Sequence, residues 1–143
     1  MKLNAQGLAD RKQWEEKGYN LPLFDREAVT AATRENPFWI HFGPGNIFRA
    51  FQANVVQKLL NEGLLDRGII AAEGYDYEII EKMNHPHDDY NLLVTLKADG
   101  NVEKTVIGSV VESLTVDSQN EKDFSRLKEI FAKDSLQMVS FTI

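Results

Sequence analysis

The chain contains no cysteine. That absence excludes a disulfide framework, a thiolate nucleophile and any cysteine-ligated metal, and it suits a reducing compartment. Basic residues are few and scattered: 16 Lys and Arg stand against 22 Asp and Glu, a formal net charge of −6. Phosphate neutralisation needs clustered cations, so nucleic acid is excluded as a partner. No apolar run approaches the roughly 20 residues that cross a bilayer. The opening residues 1–7 carry no apolar signal region. Internal repeats, low-complexity linkers, P-loops, nucleophile elbows and zinc-protease patterns are also missing. What remains reads as a cytoplasmic α/β protein with an ordinary apolar share of 43%, and with no membrane partner.

The most informative segment is 38–53. An apolar run, 38–42, ends in Gly43-Pro44-Gly45, and a helical pattern starts at once. The run suits a strand buried on both faces. Asn46 is the expected cap of a helix reaching about residue 62, with Ile47, Phe51, Val55 and Leu59 as its apolar stripe, widened by Ala50 and Leu60. Residues 68–73 form a second apolar strand ending on Glu73, so 38–73 reads as a right-handed βαβ unit. Asp76 caps a short helix to about 83, and 84–89 reads as a loop. Strand 90–98, the turn Asp99-Gly100-Asn101 and strand 102–116, broken or bent near Gly108, form an antiparallel hairpin. Helix 120–132 uses Phe124, Leu127, Ile130 and Phe131, and 136–143 is a last strand. Upstream, 1–37 reads as a preface with one helix capped by Asp25 and broken at Asn36-Pro37. The expected fold is α/β: a Rossmann-like, mostly parallel sheet flanked by helices, with an inserted hairpin. Its nucleotide-binding part is 38–143. The chain ends within an apolar strand at Phe141-Thr142-Ile143, so a fragment of a longer protein is expected.

A strand, glycine turn and helix start present unpaired N–H groups and a partial positive charge to a phosphate. The common three-glycine fingerprint would place its third glycine at 48, where this chain has Phe48. Glu73, at the end of the next strand, is placed to accept hydrogen bonds from ribose hydroxyls. With Asp76 it would repel a 2′-phosphate, favouring NAD over NADP. Read alone, the turn equally serves as a plain connection, Glu73 as a solvent-facing acid, and Arg49 as a local salt-bridge partner. His41 reads as a hydrogen-bonded core histidine. His85-Pro86-His87-Asp88-Asp89 lacks metal-ligand spacing and reads as a solvated loop.

The run Ile40-His41-Phe42-Gly43-Pro44-Gly45-Asn46-Ile47-Phe48-Arg49-Ala50-Phe51-Gln52-Ala53 resembles the opening of the polyol-specific long-chain dehydrogenases. That family includes mannitol 2-dehydrogenases and fructuronate reductases (D-mannonate oxidoreductases). Ile47 and Phe48 replace the family's usual Phe-His pair, and Phe51 its second His. Residues 106–110 and 136–143 resemble later strands of the same half. The resemblance implies NAD as cofactor, held by Gly43, Gly45, Asn46, Ile47, Phe48, Arg49 and Glu73, with no metal. It implies hydride transfer to or from a secondary alcohol or ketone of an open-chain sugar acid or polyol. D-mannonate/fructuronate is favoured over mannitol/fructose. It also implies a catalytic Lys with Asn and His groups beyond residue 143, in a domain absent from this chain. A dinucleotide-sensing module and a purely structural α/β domain stay open as alternatives, as does the oligomeric state.

Overall fold

The computed structural model describes residues 1–142; Ile143, the last residue of the expected final strand, lies outside them. Two sheets organise the chain. The larger contains β2 (Trp39–Phe42), β3 (Ile69–Glu73), β6 (Val110–Thr115) and β7 (Met138–Phe141) in the order β6-β3-β2-β7. All three pairings are parallel. The order reverses at β2, because β3 and β6 step away on one side and β7 joins on the other. In an open α/β sheet, a crevice forms at such a reversal, outside the carboxyl ends of the strands.

Both faces of this sheet are covered, as its apolar strands require. On one face, Ile69 and Ala71 pack with Val29 of α3 (Arg26–Glu35), Phe48 of α4 (Asn46–Ala50), and Ala53, Val56 and Leu60 of α5 (Gln52–Asn61). On the other, Ile40, Ile70 and Ala72 pack with Leu127 and Ile130 of α6 (Glu121–Phe131). Each fully buried isoleucine is worth about 1.5–3 kcal/mol. Asp25 and Asn120 cap α3 and α6 with bonds of 3.1 and 3.2 Å.

The smaller sheet joins β4 (Asn91–Leu96) and β5 (Val102–Ile107) as the expected hairpin, with β1 (Tyr19–Asn20) added in parallel to β5. The preceding α1 (Ala5–Leu8) and α2 (Arg11–Glu15) bring Leu8 and Trp14 onto Tyr90 and Val106. Residues 110–116 do not continue the hairpin. The chain crosses between sheets at Gly108-Ser109, and β6 pairs with β3. A Cβ on Gly108 would lie 2.9 Å from the Tyr90 ring and 3.0 Å from Pro22, so only glycine passes there.

Three further expectations are corrected. Gly45, not Asn46, stands at the cap position of α4. The helix kinks at Phe51 (φ −107°, ψ −73°), and its buried face is Phe48, Ala53, Val56, Gln57 and Leu60. Most of the expected stripe faces outward, with Ile47 68%, Phe51 66% and Val55 43% exposed, whereas Leu60, which widened it, is buried. Residues 84–87 are helical rather than looped, in a wide-turned segment Ile79–Asn84 that tightens over His85–His87.

Candidate functional site

Gly43 has φ +86°, the left-handed region that glycine occupies without penalty. Its N–H donates to the Ala72 carbonyl at 2.9 Å, so the turn begins beside the end of β3. The Gly45 N–H turns back to the Gly43 carbonyl at 2.7 Å across Pro44. The first N–H of the following helix to find a backbone acceptor is that of Arg49, on Gly45 at 3.1 Å. Among the described residues the N–H groups of Asn46, Ile47 and Phe48 therefore lack backbone acceptors, and no side chain caps this helix. A Cβ on Gly45 would meet only the Gly43 carbonyl, at 4.0 Å, so the approach to this backbone is open.

Glu73 ends β3 next to this turn and is buried, not solvent-facing. One carboxylate oxygen, Oε1, accepts from the N–H groups of Tyr75 at 2.9 Å and Asp76 at 3.3 Å. Among the described residues, no salt bridge engages Glu73 and no hydrogen bond reaches Oε2. That leaves an acceptor for a hydroxyl and no cation for a further phosphate.

Arg49 donates to Asn46 Oδ1 at 3.3 Å, and its buried Nε has no partner. Burial lowers its pKa from the usual arginine value. No carboxylate among the described residues pairs with it, contrary to the salt-bridge alternative. It borders a cavity of 360 Å³ with Asn46, His87 and Asn91. The turn, the open helix start, a guanidinium without a carboxylate partner and a half-used carboxylate fit an anionic, ribose-bearing group. Ile47 is exposed on the outer face of the helix. Phe48 is fully buried, so its side chain touches no bound group and only its N–H is available.

His41 is the hydrogen-bonded core histidine expected from the sequence; its partners on and beside β7 were not legible there. His41 is fully buried and lies flat on Phe48, with ring centroids 4.0 Å apart and planes 3° apart. Its Nδ1 is 2.8 Å from Ser140 Oγ; its Nε2 is 3.2 Å from the Gly43 carbonyl and 3.0 Å from Thr142 Oγ1. The available signal was the alternation Ser140-x-Thr142, which puts both hydroxyls on one side of the strand beside β2.

The residues of 85–89 are spent on the fold: His87 Nδ1 contacts the Leu3 carbonyl, Asp88 accepts from Ala5, and Asp89 from Ser113. Among the described residues no group of three or more potential metal ligands occurs, and no helix is long and apolar enough to cross a membrane.

No protein-family model matches the chain. A curated D-mannonate oxidoreductase of Thermotoga maritima is 48% identical to it over all 143 residues, which are 26% of that protein. The solved mannitol 2-dehydrogenase of Pseudomonas fluorescens, a ternary complex with NAD and D-mannitol, superposes on the whole chain with TM-score 0.79 and 26% identity, over 27% of its own length. A substrate-free D-sorbitol dehydrogenase shares the fold over 88% of the chain, with TM-score 0.70 and 22% identity. The chain thus spans about a quarter of the length of these proteins.

Proposed function

We propose, for a chain related over its whole length to sugar-acid and polyol dehydrogenases, that it binds NAD at the carboxyl end of β2. The observation carrying this reading is the glycine turn at the point where the strand order reverses, with Glu73 ending the adjacent strand. Gly43 and Gly45 admit the pyrophosphate to the backbone, and the N–H groups of Asn46, Ile47 and Phe48 face its charge. Arg49 adds a full positive charge nearby. Glu73 accepts from a ribose hydroxyl through Oε2 and repels a 2′-phosphate, which selects NAD over NADP.

Bound there, NAD supplies a hydride acceptor and NADH a hydride donor. We propose that the intact protein uses it on a secondary alcohol or ketone of an open-chain sugar acid, D-mannonate/fructuronate before mannitol/fructose, in the cytoplasm. The 48% identity to a D-mannonate oxidoreductase supports that order. The general base and substrate groups are expected outside these 143 residues.

Fluorescence titration of the intact protein with NADH and NADPH tests the cofactor site. NADH binding, weakened by Glu73→Ala, is expected; absent binding, or preference for NADPH, overturns it. Reduction of fructuronate by NADH tests the activity; binding without turnover of any hexonate or polyol favours a sensing role.

A further inference from the structure

The hydrogen bonds around His41 form one directed chain. The Trp39 indole only donates, and its Nε1–H reaches Ser140 Oγ at 2.7 Å. Ser140 has one proton, and among the described residues its other contact is His41 Nδ1 at 2.8 Å. The hydroxyl therefore donates to Nδ1, which must be unprotonated. At the opposite corner, Nε2 faces the Gly43 carbonyl, which only accepts. Nε2 must then carry the proton, which Thr142 Oγ1 at 3.0 Å shares. The tautomer follows from the partners.

That proton ends on the first glycine of the turn. The Gly43 carbonyl receives the Gly45 N–H from one side and His41 from the other. These two bonds orient the Gly43-Pro44 peptide, which leads directly into the open N–H groups of Asn46 to Phe48. Phe48 in turn rests on the imidazole face. Thr142, just after β7, also closes on Gly43: its N–H donates to the Phe42 carbonyl, and its own carbonyl lies 3.0 Å from where a Gly43 Cβ would be.

We propose that His41 is a positioning residue for the cofactor: neutral and protonated at Nε2, it ties the Gly43 carbonyl to β7 and holds the pyrophosphate-binding turn in its binding geometry. The inference rests on the NAD reading above. Protonating Nδ1 would put two donors on Ser140 Oγ and leave the hydroxyl proton without an acceptor. Burial accordingly lowers the His41 pKa below the ordinary 6.5, with the Gly43 bond opposing in part. The groups facing the ring are Trp39 on β2, Gly43 in the turn, Phe48 on α4, Ser140 on β7, Thr142 just after β7, and Ala71 alongside on β3. None of these side chains is ionisable. The ring's charge state therefore follows solvent pH and burial, not a neighbouring acid.

The test uses the intact protein with NADH as probe. Histidine-selective 15N NMR without cofactor should show His41 as the Nε2–H tautomer at pH 7; a cation or the Nδ1–H tautomer overturns the proposal. His41→Phe keeps a ring on Phe48 and removes both nitrogens, and should weaken NADH binding about fivefold to tenfold. His41→Gln restores a donor toward Gly43 and should recover most of that loss. Wild-type NADH affinity should hold above pH 6.5 and fall as the ring protonates, whereas the His41→Gln profile should be flat over that range. A wild-type profile that stays as flat as that of His41→Gln at a pH where 15N NMR shows the ring protonated overturns the proposal. So does a lowered melting temperature in His41→Phe with unchanged NADH affinity, which assigns His41 to the fold alone. If His41→Phe does not fold, the tautomer and the two pH profiles still decide. Wild-type protein that binds no NADH refutes the cofactor reading and this proposal with it; NADH binding indifferent to His41 refutes this proposal alone.

Discussion

The buried Gln57 side chain and the Gly108 backbone are joined by a 2.6 Å hydrogen bond, the Gly108 N–H donating to Oε1. The same side chain donates from Nε2 to the Val106 carbonyl at 2.7 Å. One glutamine on α5 thus holds the chain where it leaves β5 to cross between the two sheets. Arg26 secures the other side of that crossing, bonding the Gly108 and Val110 carbonyls at 3.1 and 3.0 Å while lying over the Tyr90 ring.

Replacing Gln57 by Leu keeps the volume and strands two buried backbone groups. The expected loss is about 2–4 kcal/mol, from two unsatisfied groups at roughly 1–2 kcal/mol each. A thermal melt of the variant checks it, and an unchanged melting temperature would contradict the role assigned to Gln57.

The two turn glycines should separate stability from binding. Gly43→Ala forces a side chain into φ +86° and against the Thr142 carbonyl at 3.0 Å. It should cost about 1–2 kcal/mol of strain and abolish tight NADH binding. At Gly45 the added Cβ has room, so Gly45→Ala should stay within about 0.5 kcal/mol of wild type. It should still weaken NADH roughly tenfold by standing between backbone and pyrophosphate. Melting curves and NADH titrations on both variants provide the comparison.

Arg126 and Glu112 form a two-bond ion pair, Nε to Oε1 at 2.8 Å and Nη2 to Oε2 at 3.0 Å, with side-chain exposures of 15% and 7%. The carboxylate holds the Arg126 pKa above its usual value. Arg126 also reaches the Arg34 carbonyl at 2.9 Å, so it clamps α3, β6 and α6 together. Glu112→Ala removes both of these bonds and leaves the largely buried guanidinium with the more exposed Glu129, 2.9 Å from Nη1, and should cost about 1.5–3 kcal/mol. The double variant Glu112→Leu/Arg126→Met should recover much of that loss. Denaturant titration of the single and double variants tests both statements.

Asp89 has φ +62° and accepts from Ser113 and Asn84 through one oxygen. Burial raises its pKa above the usual carboxylate value, against opposing bonds from Ser113 and Asn84 and the charges of Arg26 and His85. A raised folded value means the folded state binds this proton more readily than the unfolded chain. The corresponding stability is full below about pH 3.8, the unfolded value, and is lost as pH rises through the folded one. Asparagine tolerates this backbone and accepts both hydrogen bonds without a charge. Asp89→Asn should therefore stabilise the protein at pH 7 by about 1 kcal/mol, a few degrees in melting temperature. The gain should shrink toward pH 4. A variant less stable than wild type at pH 7 would refute this account.

The strand, glycine turn and helix at 38–53, the acid at 73 and the hairpin turn at 99–101 were legible from local chemistry. Glycine, proline, capping residues and apolar runs act within a few residues of themselves. The buried face of α4 and α5 was not legible in the same way. Ile47, Phe51, Val55 and Leu59 form one four-residue stripe; Phe48, Val56 and Leu60, with Gln57 beside them, form another. Periodicity identifies the helix and offers both faces. The sheet decides between them, because Ile69, Ala71 and His41 leave room for Phe48 and Val56.

Taken by itself, the sequence determined that a glycine turn follows a buried strand and that an acid ends the next. The tertiary structure alone decided that the turn sits where the strand order reverses, that Glu73 keeps one oxygen unused, and that Ser140 and Thr142 meet His41. Those contacts join residues about a hundred positions apart. No local pattern encodes them, since they exist only once β7 has paired beside β2.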